Sequence, residues 1–120
     1  MKREIKFRAQ RKDNKWQYSM TLSTGKEIGG ATKSYDYFMA EKGKGWVKVK
    51  AETIGQFTGL YDKNGKEIYE GDVISIFGKN HAVKFKDGMF TINDREMRRY
   101  IHSIPLEVIG NVYENPELVK

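Results

Sequence analysis

At 120 residues the chain has the length of one ordinary domain, and the expectation is a single core rather than two independent ones. It contains no cysteine, which excludes disulfides and thiolate metal sites, and no apolar run approaches the roughly 18 residues that a membrane-spanning helix needs. Charged residues make up 32% of the chain and the net charge is +6, a balance that either concentrates polyanions, nucleic acid above all, or keeps a small lysine-rich protein in solution.

The N-terminus, MKREIKFRAQRKDNKW, has basic residues but no apolar stretch behind them, so it does not read as a signal peptide. The expectation is a soluble, cytoplasmic protein with no membrane role. Seven tyrosines, six phenylalanines and two tryptophans are spread along the chain and can anchor a core, which argues against disorder.

In chain order, Ile5, Phe7 and Ala9 alternate with Lys6, Arg8 and Gln10, the period of a half-buried strand with its basic residues outward. Asp13-Asn14 breaks it and Trp16, Gln17 and Tyr18 resume, predicting a hairpin from Glu4 to about Met20. Residues 21–45 hold no period. Gly29-Gly30 and Lys42-Gly43-Lys44-Gly45 read as loops, Ser34 to Ala40 as a short strand or one helical turn, and the segment as an irregular insertion. Trp46 to Val49 begins another strand, Ala51 to Ile54 is ambiguous, and Gln56 to Thr58 is strand again.

The stretch FTGLYDKNGKEIYEGDVI, Phe57 to Ile74, combines two turn signals with four carboxylates. Asn64-Gly65 suits a hairpin turn because both residues tolerate positive φ. Ile68-Tyr69 is strand, Gly71 and Asp72 belong to a second turn, and Val73 to Phe77 is the most apolar strand. Gly78-Lys79-Asn80 turns the chain. His81, Val83 and Phe85 share one face of the next strand, and Gly88 marks the hairpin to Met89–Ile92. Asn93 reads as the cap of a short helix near 94–104 carrying Met97, Tyr100, Ile101 and Ile104 inward; Pro105 stops it, and LEVIGNVY is the last strand. Short strands and tight turns predict a mainly β, single-domain fold over residues 1–120, with core strands at about 4–20 and 46–113. The order from Glu67 to Ile92 suits a small SH3-like barrel.

TGLYDKNGKEIYEGDVI, the later EVIGNVYENPEL and the opening IKFRA together resemble the YopX family of phage and prophage proteins. The resemblance covers residues 4–9, 52–76 and 107–118. It implies an SH3-like core and a phage or prophage origin in a bacterial host, and it implies no activity. Ala9-Gln10-Arg11 stands where the family often continues with Trp-Asp, and residues 21–45 match nothing in the family pattern.

Candidate chemistry is thin. Glu67, Glu70 and Asp72 are close in sequence, but Asp62, Asn64, Glu70 and Asp72 are also turn formers. The Asp-x-Asn-Gly pattern resembles the start of a calcium loop, yet its twelfth position is Val73 rather than glutamate. Two histidines, His81 and His102, define no site, and the Lys42–Gly45 run lacks phosphate-loop spacing. No metal, cofactor or catalytic residue is assigned, and the chain is not expected to be an enzyme. The basic residues Lys44, Lys48 and Lys50 around Trp46, the pair Lys84 and Lys86, and Arg95, Arg98 and Arg99 form a candidate nucleic-acid surface. Trp46 itself reads first as core, since a small domain buries most of its tryptophan area. Tyr113 and Leu118 pack either across a subunit boundary or over their own chain. The leading expectation is a non-enzymatic accessory protein that binds a host protein. Nucleic-acid binding and self-assembly into homo-oligomers are the alternatives.

Overall fold

The computed structural model describes residues 4–26 and 35–120 of the chain, so the predicted loop at Gly29-Gly30 lies outside the described residues. The fold is mainly β, and residues 1–56 and 57–120 form two compact units.

In the first unit, β1 (Phe7–Gln10) pairs antiparallel with β2 (Trp16–Ser19), as the broken alternation predicts. The expected polar face of β1 is not outward, however. Arg8 is only 5% exposed, with its guanidinium 4.5 Å from the centre of the Trp16 ring, and Gln10 is buried as well, whereas Ile5 is exposed. A cation over an indole is a stable arrangement that lets an arginine occupy an interior position.

Among the described residues, 21–26 and 35–45 are not an irregular insertion. They contain β3 (Leu22–Lys26) and β4 (Tyr35–Glu41), which join β5 (Gly45–Val49) in one antiparallel sheet. The period is invisible in sequence because β4 is apolar on both faces, with Phe38 and Ala40 on one side and Tyr37 and Met39 on the other. Leu22, Met39 and Val47 lie in register, and Met39 and Val49 form the small core with Ala9.

A 3-10 turn, Ala51–Thr53, interrupts the path from β5 to β6 (Gly55–Tyr61). Both flanks follow β1: Lys50 N–H donates to the Gln10 carbonyl, and Gly55 and Gln56 pair with Arg8 and Phe7. Thr53 holds this turn in place. Its buried hydroxyl donates to the Lys50 carbonyl at 2.7 Å and accepts the Gln10 N–H at 2.8 Å.

In the second unit, Phe57–Tyr61 of β6 runs beside β7 (Glu67–Tyr69) with an irregularity at Gly59, where φ is +84°. β8 (Asp72–Ile76) sits between β9 (Lys79–Ala82) and β13 (Glu107–Asn111). A third sheet contains β10 (Lys84–Lys86), β11 (Met89–Ile92) and β12 (Arg95–Glu96). The core gathers Ile68, Ile74, Ile76, Val83, Ile92, Met97 and Leu106. Each such aliphatic side chain contributes about 1.5–3 kcal/mol by burial.

The SH3-like barrel expected over Glu67–Ile92 is not formed as a closed ladder among the described residues. The chain departs from the predicted single strand at Val83. Its N–H still donates to the Asp72 carbonyl and its carbonyl accepts the Gly71 N–H, after which β10 leaves for a separate sheet.

Turn chemistry accounts for two further departures. Asn93 does not cap a helix: with Asp94 it forms a two-residue turn in which both residues have positive φ, joining β11 to β12. The helix α1 is therefore only Arg98–Ile101, beginning after Met97. The predicted inward set is correct, with Met97 buried and Tyr100, Ile101 and Ile104 packed against the core. Ile109 is the extra residue of a bulge between Val108 and Gly110 and is exposed.

The tail packs on its own unit. Gly110 has no room for a Cβ, which would lie 2.6 Å from Asn115 Oδ1 and 2.9 Å from Leu118 Cδ1. Gly71, at φ +93°, receives the Tyr113 ring where a Cβ would meet Cε2 at 2.9 Å.

Two stability outcomes follow from these contacts. Thr53→Val leaves the buried Gln10 N–H without its acceptor and lowers unfolding free energy by about 1–3 kcal/mol in denaturant melts. Gly65→Ala costs about 1–2 kcal/mol through its positive φ alone, and Gly71→Ala costs more than Gly65→Ala because it adds the Tyr113 collision. Equal losses at the two glycines would remove the packing argument.

Candidate functional site

The signature stretch is scaffold. Asp62, 7% exposed, accepts the N–H groups of Asn64 and Lys66 on Oδ1 at 2.8 and 2.9 Å, and that of Val108 on Oδ2 at 3.1 Å. One carboxylate thus shapes the turn and ties it to β13. Burial is the largest single influence on Asp62 and opposes its charge. The N–H donors of Val108, Lys66 and Asn64, helped by the Lys66 ammonium, outweigh it and hold the carboxyl below the usual aspartate range. Next to it, Lys63 donates its N–H to the Leu106 carbonyl and pairs with Glu107 at 2.8 Å, which raises the ammonium's pKa.

Asp72, 1% exposed, accepts the Tyr69 N–H at 2.8 Å, and Glu67 accepts the Tyr69 hydroxyl at 3.1 Å. Of the Asn64-Gly65 pair only Gly65 has positive φ, so Asn64 is not held in place by a left-handed backbone. Gly71 and Gly88 lie in turns at φ +93° and +80°, whereas Asp72 is the first residue of β8 rather than part of the turn before it.

The basic residues belong to different elements of the two units. In the first unit, Trp46 is 54% exposed and not a core residue. The reason is the register of β5. Val47 and Val49 lie opposite Met39 and Tyr37 and take the inward face, which leaves Trp46, opposite Ala40, and Lys48, opposite Phe38, on the outward one. Lys44 stands in the preceding turn, 3.7 Å from Glu41. Lys50 follows the strand and donates from Nζ to Asn14 Oδ1.

Beside this strand lies a cavity of ≈ 400 Å³ lined by Lys12, Tyr37, Lys48, Val49, Lys50, Ala51 and Glu52. The contribution of Tyr37 to this surface was not legible in the sequence, because it falls in the segment whose alternation is hidden.

In the second unit, Lys84 and Lys86 are exposed on one face of β10. The register puts Thr91 and Glu96 on the same face and Arg95 on the other, with Phe85, Phe90 and Ile92. Lys86 is 3.5 Å from Asp94. Arg95 belongs to β12 and Arg98 and Arg99 to α1, so the predicted basic side of one helix does not exist. His81 lies in β9 and His102 ends α1. Among the described residues no three His, Asp or Glu side chains gather as a metal cluster. No helix among them is long and apolar enough to cross a membrane.

The depressed Asp62 carboxyl carries a pH signature. A group with its folded pKa below the unfolded value of about 3.9 stabilises fully above that value, and the contribution disappears as pH falls through the folded pKa. Acid titration of wild type therefore shows a stability loss below about pH 4 that Asp62→Asn lacks in part. At neutral pH Asp62→Asn is less stable by about 1–3 kcal/mol, since an amide presents N–H₂ where Val108 N–H needs an acceptor.

Comparison with known proteins agrees with the signature. The chain is similar in structure to protein EF1440 from Enterococcus faecalis, known from its crystal structure, with a TM-score of 0.57 and 24% sequence identity over 98% of this chain and 99% of that one. That likeness concerns the fold. No curated protein matches the chain. The family described as YopX protein matches residues 6–120, from β1 through both buried aspartates to the C-terminal tail, and the chain belongs to the YopX family.

Proposed function

We propose that the protein acts by binding rather than by catalysis, as an accessory factor of a phage or prophage in the cytoplasm of a bacterial host, and that its ligand is single-stranded nucleic acid. The observation that carries this reading is Trp46: a large indole on the outward face of β5, in a run with Lys44, Lys48 and Lys50. An aromatic platform stacks a base of any sequence while ammonium groups hold the backbone phosphates. The +6 net charge favours the encounter. The engagement of Asp62 and Asp72 with backbone N–H groups supports a scaffold role for the signature carboxylates.

A host protein as partner has its own supporting observation, in the second unit. Phe77 is 84% exposed and sits at φ +49° in the two-residue turn between β8 and β9. Such turns favour asparagine or aspartate followed by glycine, and a bulky side chain there is strained. An exposed, strained ring at a hairpin tip fits the anchor of a protein contact.

Fluorescent single strands titrated at two salt concentrations test the first reading. Binding weakens with salt. Trp46→Ala lowers affinity about tenfold or more with little change in stability, and Lys48→Glu with Lys50→Glu flattens the salt slope by about 0.7 per lost phosphate contact. Absence of binding at low salt discards it. For the second reading, Phe77→Asn raises stability by about 1 kcal/mol and releases a host protein that wild type retains. A destabilised Phe77→Asn would show the ring to be structural.

A further inference from the structure

We infer that the outer edge of β10 docks an extended segment of a partner protein in which one apolar residue stands between two acidic ones. Neither Trp46 nor Phe77 belongs to this edge. β10 is the outermost strand of its sheet, in the order β10-β11-β12, and all three of its residues are exposed. Its hydrogen-bonding pattern follows from the turn. Asp87-Gly88 is a two-residue turn with both φ positive, so Lys86 and Met89 exchange ladder bonds, Phe85 and Phe90 do not, and Lys84 and Thr91 do again. The Phe90 carbonyl accordingly turns away from β10 and accepts the Met97 N–H. The Phe85 N–H and carbonyl point the opposite way, to the open side of β10. Two residues back on that side, the same groups of Val83 are taken by Asp72 and Gly71, whereas those of Phe85 meet no backbone partner among the described residues. An added strand supplies one.

The side chains set which strand can pair there. Phe85 packs edge-on against Phe90 with ring centres 5.1 Å apart and is still 53% exposed, so it offers ring surface to an apolar side chain directly opposite. Lys84 and Lys86 project from the other face of β10. Lys84 makes no ion pair among the described residues. Lys86 pairs with the exposed Asp94 at 3.5 Å, and Glu96, a carboxylate on the lysine face, lies across β11. An antiparallel strand beside β10 sets its central residue opposite Phe85 and the two flanking residues opposite the lysines. Acidic–apolar–acidic satisfies all three positions, and the central backbone closes both Phe85 groups. Lysines on a sheet edge discourage pairing with neutral or basic strands. A second copy of β10 paired about Phe85 sets each lysine against a lysine, which is destabilising. The charges that guard this edge against self-association therefore select an acidic partner.

The test is an NMR titration of the full chain with blocked peptides. Thr-Glu-Val-Glu-Thr carries the proposed pattern, Thr-Glu-Glu-Val-Thr has the same composition with its acids on opposite faces, and Thr-Lys-Val-Lys-Thr reverses the charge. The expected result is saturable shifts at residues 84–86 with the first peptide, largest at the Phe85 amide, about tenfold weaker binding of the second, and none of the third. Methylating the valine nitrogen removes the donor to the Phe85 carbonyl and weakens the first peptide about tenfold, with the protein untouched. Lys84→Glu weakens it to a similar extent without changing the unfolding midpoint. In the free protein the Phe85 amide exchanges with solvent faster than those of Lys84 and Lys86. Slow exchange at Phe85 would show the edge to be covered already and overturn the inference. Equal binding of the two acidic peptides would reduce it to charge attraction without strand pairing, and shifts at residues 84–86 on dilution of the protein alone would give the edge to a second copy. Displacement of the first peptide by a single-stranded oligonucleotide would assign the lysines to nucleic acid. Each of these results overturns the docking edge and leaves the Trp46 test to stand by itself.

Discussion

A carboxylate that accepts three backbone N–H groups is the constraint on which the second unit depends. Asp62 closes the turn after β6 through Asn64 and Lys66 and, with its other oxygen, takes the Val108 N–H of β13. Lys63 reinforces the same junction twice, through the Leu106 carbonyl and Glu107. Asp72 repeats the device at shorter range on Tyr69. Removing such a group from water is unfavourable unless its oxygens are satisfied, and here the backbone satisfies them. The family signature is therefore conspicuous in sequence for a structural reason. Its two aspartates, Asp62 and Asp72, are buried where ordinary turns carry exposed ones.

Much of the strand order could be read from alternation and turns, because β1, β2, β5, β8 and β13 are each bounded by residues with strong local preferences. Legibility failed where a strand lost its polar face. β4 presents Tyr37 and Met39 to one side and Phe38 and Ala40 to the other, so no period separates strand from insertion. Arg8 misled in the opposite sense: a cation marks an outward position unless an indole receives it, and Trp16 is eight residues away in sequence but in the paired strand. The helix was drawn too long because Asn93 serves equally well as a cap or as the first residue of a left-handed turn. Composition cannot choose between those roles.

The candidate surface shows the same dependence on register. Trp46 is outward only because Val47 and Val49 have the inward partners Met39 and Tyr37, and those partners lie in the strand that the sequence hid. Without β4, burial is the natural fate of a tryptophan in a small core. With it, the period of two sends Trp46 and Lys48 to the same side, and Lys12 and Tyr37 join Lys48 and Lys50 around one cavity. The arginines of the second unit had no such unifying strand and were separated onto β12 and α1.

The three two-residue turns of the second unit, Phe77-Gly78, Asp87-Gly88 and Asn93-Asp94, all have both residues at positive φ. Their handedness matches the twist of paired strands, so each hairpin is specified locally and closes over a short loop. Hairpins of this kind form in microseconds. The Asp62 to Val108 bond joins residues 46 apart, a far longer closure than that of any of these hairpins. The same carboxylate therefore works on two scales: on Asn64 and Lys66 it closes a local turn, and on Val108 it fastens distant parts of the second unit. Stopped-flow kinetics of Asp62→Asn separate the two, because a slowed folding limb reports bonds made by the transition state and a faster unfolding limb reports bonds made after it.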